Sequence, residues 1–305
     1  MKRNGMTNDS KSAFIAIIGR PNVGKSTLLN QLVGEKVAIV SDKPQTTRNR
    51  ILGIKTIEET QFVFFDTPGV HRPKTRLGDF MVKSIGGAVS GVDAAIYVTQ
   101  TGSKINQEDR NLLEQCRRQK LPVVLAINKT DTIKDKSALL LMIAEWTDIY
   151  SFEAVVPMSA LTGDGIQELT AETSKFASEG PHYFPDDMIS DQPERVIAAE
   201  LVREKILLSL REEVPHGVAV VVESIKERQS GDKVILDIEA NIFCERESHK
   251  AILIGKKGAM LRRIGEAARI EMESLFDTKV NLQCWIKVKE DWRNRQGFLN
   301  GFGYN

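Results

Sequence analysis

The sequence predicts an α/β fold with a mostly parallel sheet, followed by a smaller α+β domain. Three observations carry that prediction. Short apolar runs rich in β-branched and aromatic residues alternate with amphipathic helical stretches from Phe14 to Ser159. A stretch with glycine and two prolines, "SEGPHYFPDD" (Ser178–Asp187), then breaks the periodicity. Beyond it the order changes to helix, strand, strand, helix, helix, strand. A chain of 305 residues with 41% apolar residues has enough length and core for two such domains.

The elements follow in order. "FIAIIG" (Phe14–Gly19) reads as a strand stopped by glycine, and "KSTLLNQLV" (Lys25–Val33) as a helix presenting Leu28, Leu29 and Leu32. "TQFVFFD" (Thr60–Asp66), "AAIYVT" (Ala94–Thr99), "PVVLAIN" (Pro122–Asn128) and "AVVPMS" (Ala154–Ser159) read as further strands. "NQEDRNLLEQCRRQ" (Asn106–Gln119) and "DKSALLLMIAEW" (Asp135–Trp146) are helical crossovers between them. Such alternation implies parallel strands covered on both faces, with ligands at the carboxyl ends of the strands. In the second domain, "ERVIAAELVREKILLSL" (Glu194–Leu210) is a helix. "GVAVVVESIKE" (Gly217–Glu227) and "DKVILDIEANIFCE" (Asp232–Glu245) form a hairpin around "RQSG". Two helices then flank Gly-Lys-Lys-Gly, and "KVNLQCWIKVKE" (Lys279–Glu290) is the last strand. The expected organisation is a flexible N-terminus over 1–13, a first domain over 14–179, a linker over 180–192 and a second domain with a C-terminal tail over 193–305.

Bulk properties exclude several classes. Cys116, Cys244 and Cys284 are odd in number and far apart, which argues against a disulfide framework or a zinc cluster. His71, His182, His216 and His249 are scattered without metal-ligand spacing, although His71 lies close after Asp66. No run approaches the roughly 18 to 20 apolar residues of a membrane span, so a cytoplasmic protein is expected. A net charge of +1 means that any polyanion binding must come from a local patch.

"GRPNVGKS" (Gly19–Ser26) fits the phosphate-loop pattern G-x-x-x-x-G-K-[ST] and sits between a strand and a helix, as that motif requires. Gly19 and Gly24 permit the tight path that turns successive N–H groups toward phosphate oxygens at a helix N-terminus. The candidate cradle is Gly19, Arg20, Pro21, Asn22, Val23, Gly24, Lys25, Ser26 and Thr27. Lys25 would reach the β- and γ-phosphates and Ser26 would ligate Mg²⁺. "DTPG" (Asp66, Thr67, Pro68, Gly69) ends the next strand, with Asp66 toward Mg²⁺ and the Gly69 backbone toward the γ-phosphate. "NKTD" (Asn128–Asp131), with Asn128, Lys129 and Asp131, ends another. A carboxylate at Asp131 can accept from both N1–H and the exocyclic amine of guanine, whereas adenine offers neither donor. "MSAL" (Met158–Leu161) would close over the base edge through Ser159 and the Ala160 backbone. The ligands expected are therefore GTP, GDP and Mg²⁺.

In-line hydrolysis depends mainly on positioning and charge neutralisation. The residue after DTPG, a water-orienting glutamine in many GTPases, is Val70, so turnover should be slow and conditional. "QTTRNR" (Gln45–Arg50) is a polar stretch long enough for a switch, and Thr47, with Thr46 as the alternative, is expected to complete Mg²⁺ coordination. The catalytic set is Lys25, Thr47, Asp66 and Gly69.

The combination of GRPNVGKSTLLN, QTTRNR, DTPGVH, NKTD and MSAL with Ile-Gly-Lys-Lys-Gly resembles the Era family of bacterial GTPases over roughly Phe14 to Tyr304. The resemblance implies a P-loop GTPase domain followed by an α+β type II KH domain. It also implies a role in small-subunit ribosome assembly through the 3′ end of 16S ribosomal RNA. A KH module clamps about four nucleotides with its G-x-x-G loop. The window His249–Arg263 holds five basic residues and no acid, which makes it the local patch sought. Its candidate RNA contacts are Lys250, Ile254, Gly255, Lys256, Lys257, Gly258 and Arg262, with Ile252 and Leu253 adding an apolar platform. Related GTPases bind K⁺ through a phosphate-loop asparagine, and Asn22 occupies that position. The resemblance further implies peripheral association at the inner face of the cell membrane, and a monomer is expected. A competing reading, a regulatory GTPase acting through a protein partner, has GKKG and the acid-free window against it.

Overall fold

The computed structural model describes residues 10–43, 45–68, 75–77, 91–133, 135–231 and 233–304. Its contacts divide the chain into two units: residues 1–38, 47–71 and 81–191, and residues 39–46, 72–80 and 192–305.

The first unit contains β1 (Lys11–Gly19), α1 (Lys25–Val33), β2 (Ile51–Ile57), β3 (Thr60–Asp66), β4 (Ala94–Gln100), α2 (Gln107–Arg118), β5 (Val123–Asn128), α3 (Lys136–Ile149), β6 (Ala154–Pro157), α4 (Ile166–Ser174) and β7 (Ser178–Glu179). The sheet order is β2-β3-β1-β4-β5-β6, with β7 joined to β1. Both faces are covered, which is why β1 is apolar at consecutive positions. Ile15 and Ile17 pack with Leu28 and Leu29 of α1. Ala16 and Ile18 pack on the opposite face with Tyr97, Leu112 and Trp146. All pairings along β3-β1-β4-β5-β6 are parallel, so the phosphate loop and both later motifs emerge at one edge.

Three features depart from the sequence expectation. "ILGIKTI" (Ile51–Ile57), assigned to no element from the sequence, is the edge strand β2, antiparallel to β3. A Cβ on Gly53 would lie 2.6 Å from Leu29 Cδ1 and 2.7 Å from Val33 Cγ2, so this strand lies close against α1. Residues 11–13 are not a flexible terminus: they open β1, pairing with Thr60–Phe62, and Ala13 is fully buried. Residues 1–9 lie outside the described residues. The stretch expected as a linker is fastened to the first unit. Gln61 Oε1 accepts from the N–H groups of Tyr183 (2.8 Å) and Phe184 (3.0 Å), and Phe184 and Met188 pack on Leu52, Ile54, Val63 and Phe65.

The second unit contains α5 (Glu194–Ser209), β8 (Ala219–Ser230), β9 (Lys233–Cys244), α6 (Glu247–Ile254), α7 (Ala259–Leu275), β10 (Lys279–Val288) and α8 (Gln296–Gly301). β8 and β9 form an antiparallel hairpin bulged between Val222 and Ser224, and β10 lies parallel on the other side of β9. The strands run through Arg228–Ser230, so the hairpin turns at Gly231 (φ 63°), at the end of RQSG. Leu201, Val202 and Ile206 of α5 and Ile264, Ala268 and Met272 of α7 close the core over Ile238, Ala240 and Ile242. Beyond β10, the buried Trp292 indole donates to Gly217 O at 2.9 Å and stacks on Tyr304. The unit also takes in residues 39–46, where Val40 N–H donates to Glu204 and the Arg203 guanidinium to Thr46 O. No helix among the described residues is long and apolar enough to cross a membrane.

Candidate functional site

The phosphate loop joins β1 to α1, and its path is fixed by glycines that have no room for a side chain. Gly19 has φ 145°, and a Cβ there would lie 2.2 Å from Val98 O. Gly24 has φ 98°, and its Cβ would lie 2.2 Å from Asn128 Nδ2. Helix α1 starts directly after Gly24 with no side-chain cap and no acid in its first turn, which leaves its N–H groups to an anion. Lys25 is buried and its Nζ donates to Gly19 O (3.2 Å) and Arg20 O (2.8 Å). Burial pulls its pKa down to about 8, against the opposing attraction of Asp66.

Three oxygens meet beside it. Ser26 Oγ lies 2.8 Å from Thr47 Oγ1 and donates to Asp66 Oδ2 at 2.7 Å, and Thr47 Oγ1 donates to the same oxygen at 3.3 Å. Asp66 is fully buried, and its second oxygen, Oδ1, has no hydrogen-bond partner. Burial raises the Asp66 pKa, while Lys25, Ser26, Thr47 and the Thr67 backbone pull it back. An orphaned carboxylate oxygen next to two hydroxyls is a hard, all-oxygen donor set of the kind Mg²⁺ takes, so the residues fit that ion. Thr46 is turned elsewhere: its hydroxyl bonds Ser41 Oγ (2.7 Å) and donates to Lys43 O (2.6 Å). Thr67 Oγ1 donates to Ile17 O at 2.9 Å and ties the DTPG turn to β1. Gly69, Val70 and His71 lie outside the described residues.

The base-reading corner is built on the same frame. The buried Asn128 side chain donates to Val23 O at 2.8 Å and accepts from Lys129 N (2.8 Å) and Ala160 N (2.9 Å). The Ala160 N–H, expected at the base edge, is here engaged by Asn128. Lys129 adopts φ 65° and its Nζ donates to Asn22 O at 2.8 Å. Asp131 is exposed, and Ser159 Oγ donates to its Oδ1 at 2.6 Å, which aims the carboxylate. Arg20 is the loop residue whose side chain points elsewhere: its Nε pairs with Asp109 Oδ1 at 3.1 Å. Sequence reading did not single out Asp109, although Asn-x-x-Asp at 106–109 is the signature of the capping box that it forms.

The second loop has a different character. Gly255 (φ 70°) has Met260 where its Cβ would be, 2.7 Å from Met260 Cβ, and Lys257 has φ 52°. Gly258 (φ 76°) has open space there, and its N–H donates to Gly255 O at 3.2 Å. Lys256, Lys257, Arg262 and Arg263 are exposed, while Lys250 Nζ lies 4.0 Å from Glu247 Oε2. Behind the loop lies a groove of about 570 Å³ whose lining includes Leu261, Leu282 and Cys284, the cations Arg262 and Arg269, and one acid, Glu266. The apolar platform is smaller than expected: Leu253 is sealed in the core, Ile254 is half-buried, and Ile252 is 47% exposed.

Comparison with known proteins places this geometry. A family model described as "50S ribosome-binding GTPase" matches residues 14–129, and a KH domain model matches residues 213–293. "GTPase Era" of Clostridioides difficile is 51% identical over 97% of this chain and 99% of its own length. "GTPase Era" of Ruminiclostridium cellulolyticum is 49% identical over 96% and 97%. Two crystal structures superpose with a TM-score of 0.92: a variant of Aquifex aeolicus Era bound to GDP·AlF4⁻, 39% identical over 96% of this chain and 99% of that one, and an Era in complex with MgGDPNP and nucleotides 1506–1542 of 16S ribosomal RNA, 40% identical over 97% and 99%.

Proposed function

The chain belongs to the Era family of bacterial GTPases, and from that membership we propose that it hydrolyses GTP in its first domain and holds the 3′ end of 16S ribosomal RNA with its KH domain during small-subunit assembly. The observation that supports this reading is that one chain carries both the Lys25–Ser26–Thr47–Asp66 cluster beside a glycine-bracketed loop and an exposed, acid-free GKKG loop.

In this reading the N–H groups of the loop between Gly19 and Ser26, Pro21 having none, and the Lys25 ammonium cradle the phosphates. Ser26, Thr47 and Asp66 hold Mg²⁺, which when bound neutralises charge on the β- and γ-oxygens. Asp131, aimed by Ser159, selects guanine. The apolar Val70 supplies no hydrogen bond to the attacking water, which keeps hydrolysis slow until another group completes the site. In the KH domain, Gly255 and Gly258 let an RNA backbone approach Lys256 and Lys257, and Arg262 and the groove behind take the bases.

Three finer statements belong to the same proposal: a K⁺ ion at Asn22, a monomeric state, and peripheral attachment to the inner face of the membrane. Equal turnover in K⁺ and Na⁺ would remove the first.

The test of the main reading is binding of a labelled oligonucleotide matching the small-subunit 3′ end, in the GTP-analogue and GDP forms. Tighter binding in one nucleotide state supports a GTP-switched RNA clamp. Binding indifferent to nucleotide would leave an RNA-binding GTPase without a switch. Asp131→Asn tests the base assignment, since it should shift preference from guanine to xanthine nucleotides; unchanged GTP affinity would refute it.

A further inference from the structure

Arg20 follows the first glycine of the phosphate loop, yet its guanidinium leaves the nucleotide pocket. Its Nε pairs with Asp109 Oδ1 at 3.1 Å and its Nη2 donates to Lys104 O at 3.0 Å. Asp109 sits in the first turn of α2 and is 1% exposed. Its Oδ2 accepts from Asn106 N at 2.8 Å, the ordinary capping-box bond. Capping alone would leave Oδ1 idle, but that oxygen accepts from Tyr97 OH at 2.6 Å as well as from Arg20. Tyr97, on β4, is also 1% exposed. Burial first, and the Asp109 charge after it, push its phenol far above the usual range, so it stays a donor.

We propose that Arg20 and Asp109, with Tyr97, form a brace that positions the phosphate loop, so that the grip on GTP and GDP is set partly from the side of the loop facing away from the nucleotide. The inference rests on the GTP-binding reading above. Two consecutive loop residues are referenced to one strand: Gly19 rests on Val98 O, and Arg20 is fixed through Tyr97, the residue before Val98. The carbonyls that hold Lys25 Nζ are those of Gly19 and Arg20. Fixing these two peptides therefore fixes where the Lys25 ammonium waits for phosphate. A buried carboxylate is costly without a partnered cation, and the planar guanidinium fork bonds Asp109 and Lys104 O together from two different nitrogens, a geometry that a lysine ammonium does not reproduce. Arg20 and Asp109 act here as positioning residues, since their side chains are engaged with each other and with Lys104 O rather than offered to the phosphates.

The experiment measures dissociation of fluorescent GDP and steady-state GTP turnover in the full-length protein. Arg20→Ala comes first, because Arg20 is 22% exposed at its side chain and the α2 cap survives its loss. GDP should leave about tenfold faster and KM for GTP should rise by a similar factor, with kcat within about twofold, as expected when binding is lost equally from ground and transition states. Arg20→Lys should recover part of the loss. Tyr97→Phe, which keeps the ring packed on Trp146, should give about a threefold effect. Arg20→Ala combined with Asp109→Asn should be no worse than the more severe single variant, as for residues acting as one unit. A lowered Tm with unchanged GDP dissociation would overturn the proposal and leave a structural salt bridge. Strict additivity in the double variant would overturn it as well.

Discussion

The two glycine-bracketed loops of this chain bind the same chemical group by opposite means. The first is held from every side. Gly19 lies against Val98 O, Gly24 against Asn128, Lys25 is buried on the loop's own carbonyls, and Lys129 reaches back to Asn22 O. The second is held only at its base, where Gly255 packs on Met260; Gly258 faces open space and its lysines are exposed. A preformed, desolvated cradle suits a compact nucleotide whose phosphates arrive in one geometry. An open loop with screened charges suits a polymer whose backbone must be admitted from many approaches.

The sharpest way to break the contrast is to add one methyl group to each loop. Gly19→Ala drives a Cβ into a backbone carbonyl at φ 145°, where nothing flexible can move aside. GTP binding should fall by more than about 100-fold, with a lowered Tm, read by nucleotide titration and thermal melting. A smaller but still large effect is expected from Lys256→Asp/Lys257→Asp. RNA affinity should drop about 100-fold at low salt and the salt slope by about 1.4 or more, while GTP turnover stays unchanged. Next comes pH. Free Lys25 has a pKa of about 8, depressed by burial, and bound phosphate favours its charged form. Nucleotide affinity should be flat below that pH and fall above it by up to about tenfold per unit, as each binding event takes up a proton. Titrations at pH 7, 8 and 9 check this, and a flat profile would contradict the buried-lysine account. The smallest effect is that of Gly258→Ala. Its Cβ meets nothing, so only the φ of 76° opposes it, and RNA affinity should weaken by about tenfold or less.

Much of this was legible in the sequence because glycine spacing and strand-end motifs are local signals. The phosphate loop, DTPG, NKTD and GKKG could each be read within eight residues, and the β1, β3, β4 and β5 runs are apolar on both faces. What escaped reading depends on contacts between distant residues. β2 was hidden because Gly53 and Lys55 interrupt "ILGIKTI", and the glycine is explained only by Leu29 and Val33 lying against it. Residues 180–191 look like a linker from their prolines and glycine, yet Gln61, far back in the chain, binds their backbone. Leu253 could not be told from Ile252 and Ile254 until helix α6 set which of the three faces the core. Arg20 was expected to serve the phosphates, and nothing local reveals that its guanidinium is paired with Asp109, 89 residues away.

Asn128 illustrates how the nucleotide pocket treats its ligand. One amide bonds the phosphate loop at Val23, its own strand end at Lys129 and the last loop at Ala160. Base corner and phosphate loop therefore share one rigid joint: a displacement of any of the three loops is carried to the others through a single amide. Loss of the Asn128 side chain would uncouple all three at once, whereas a change at Asp131, which Ser159 orients here, would leave that joint intact.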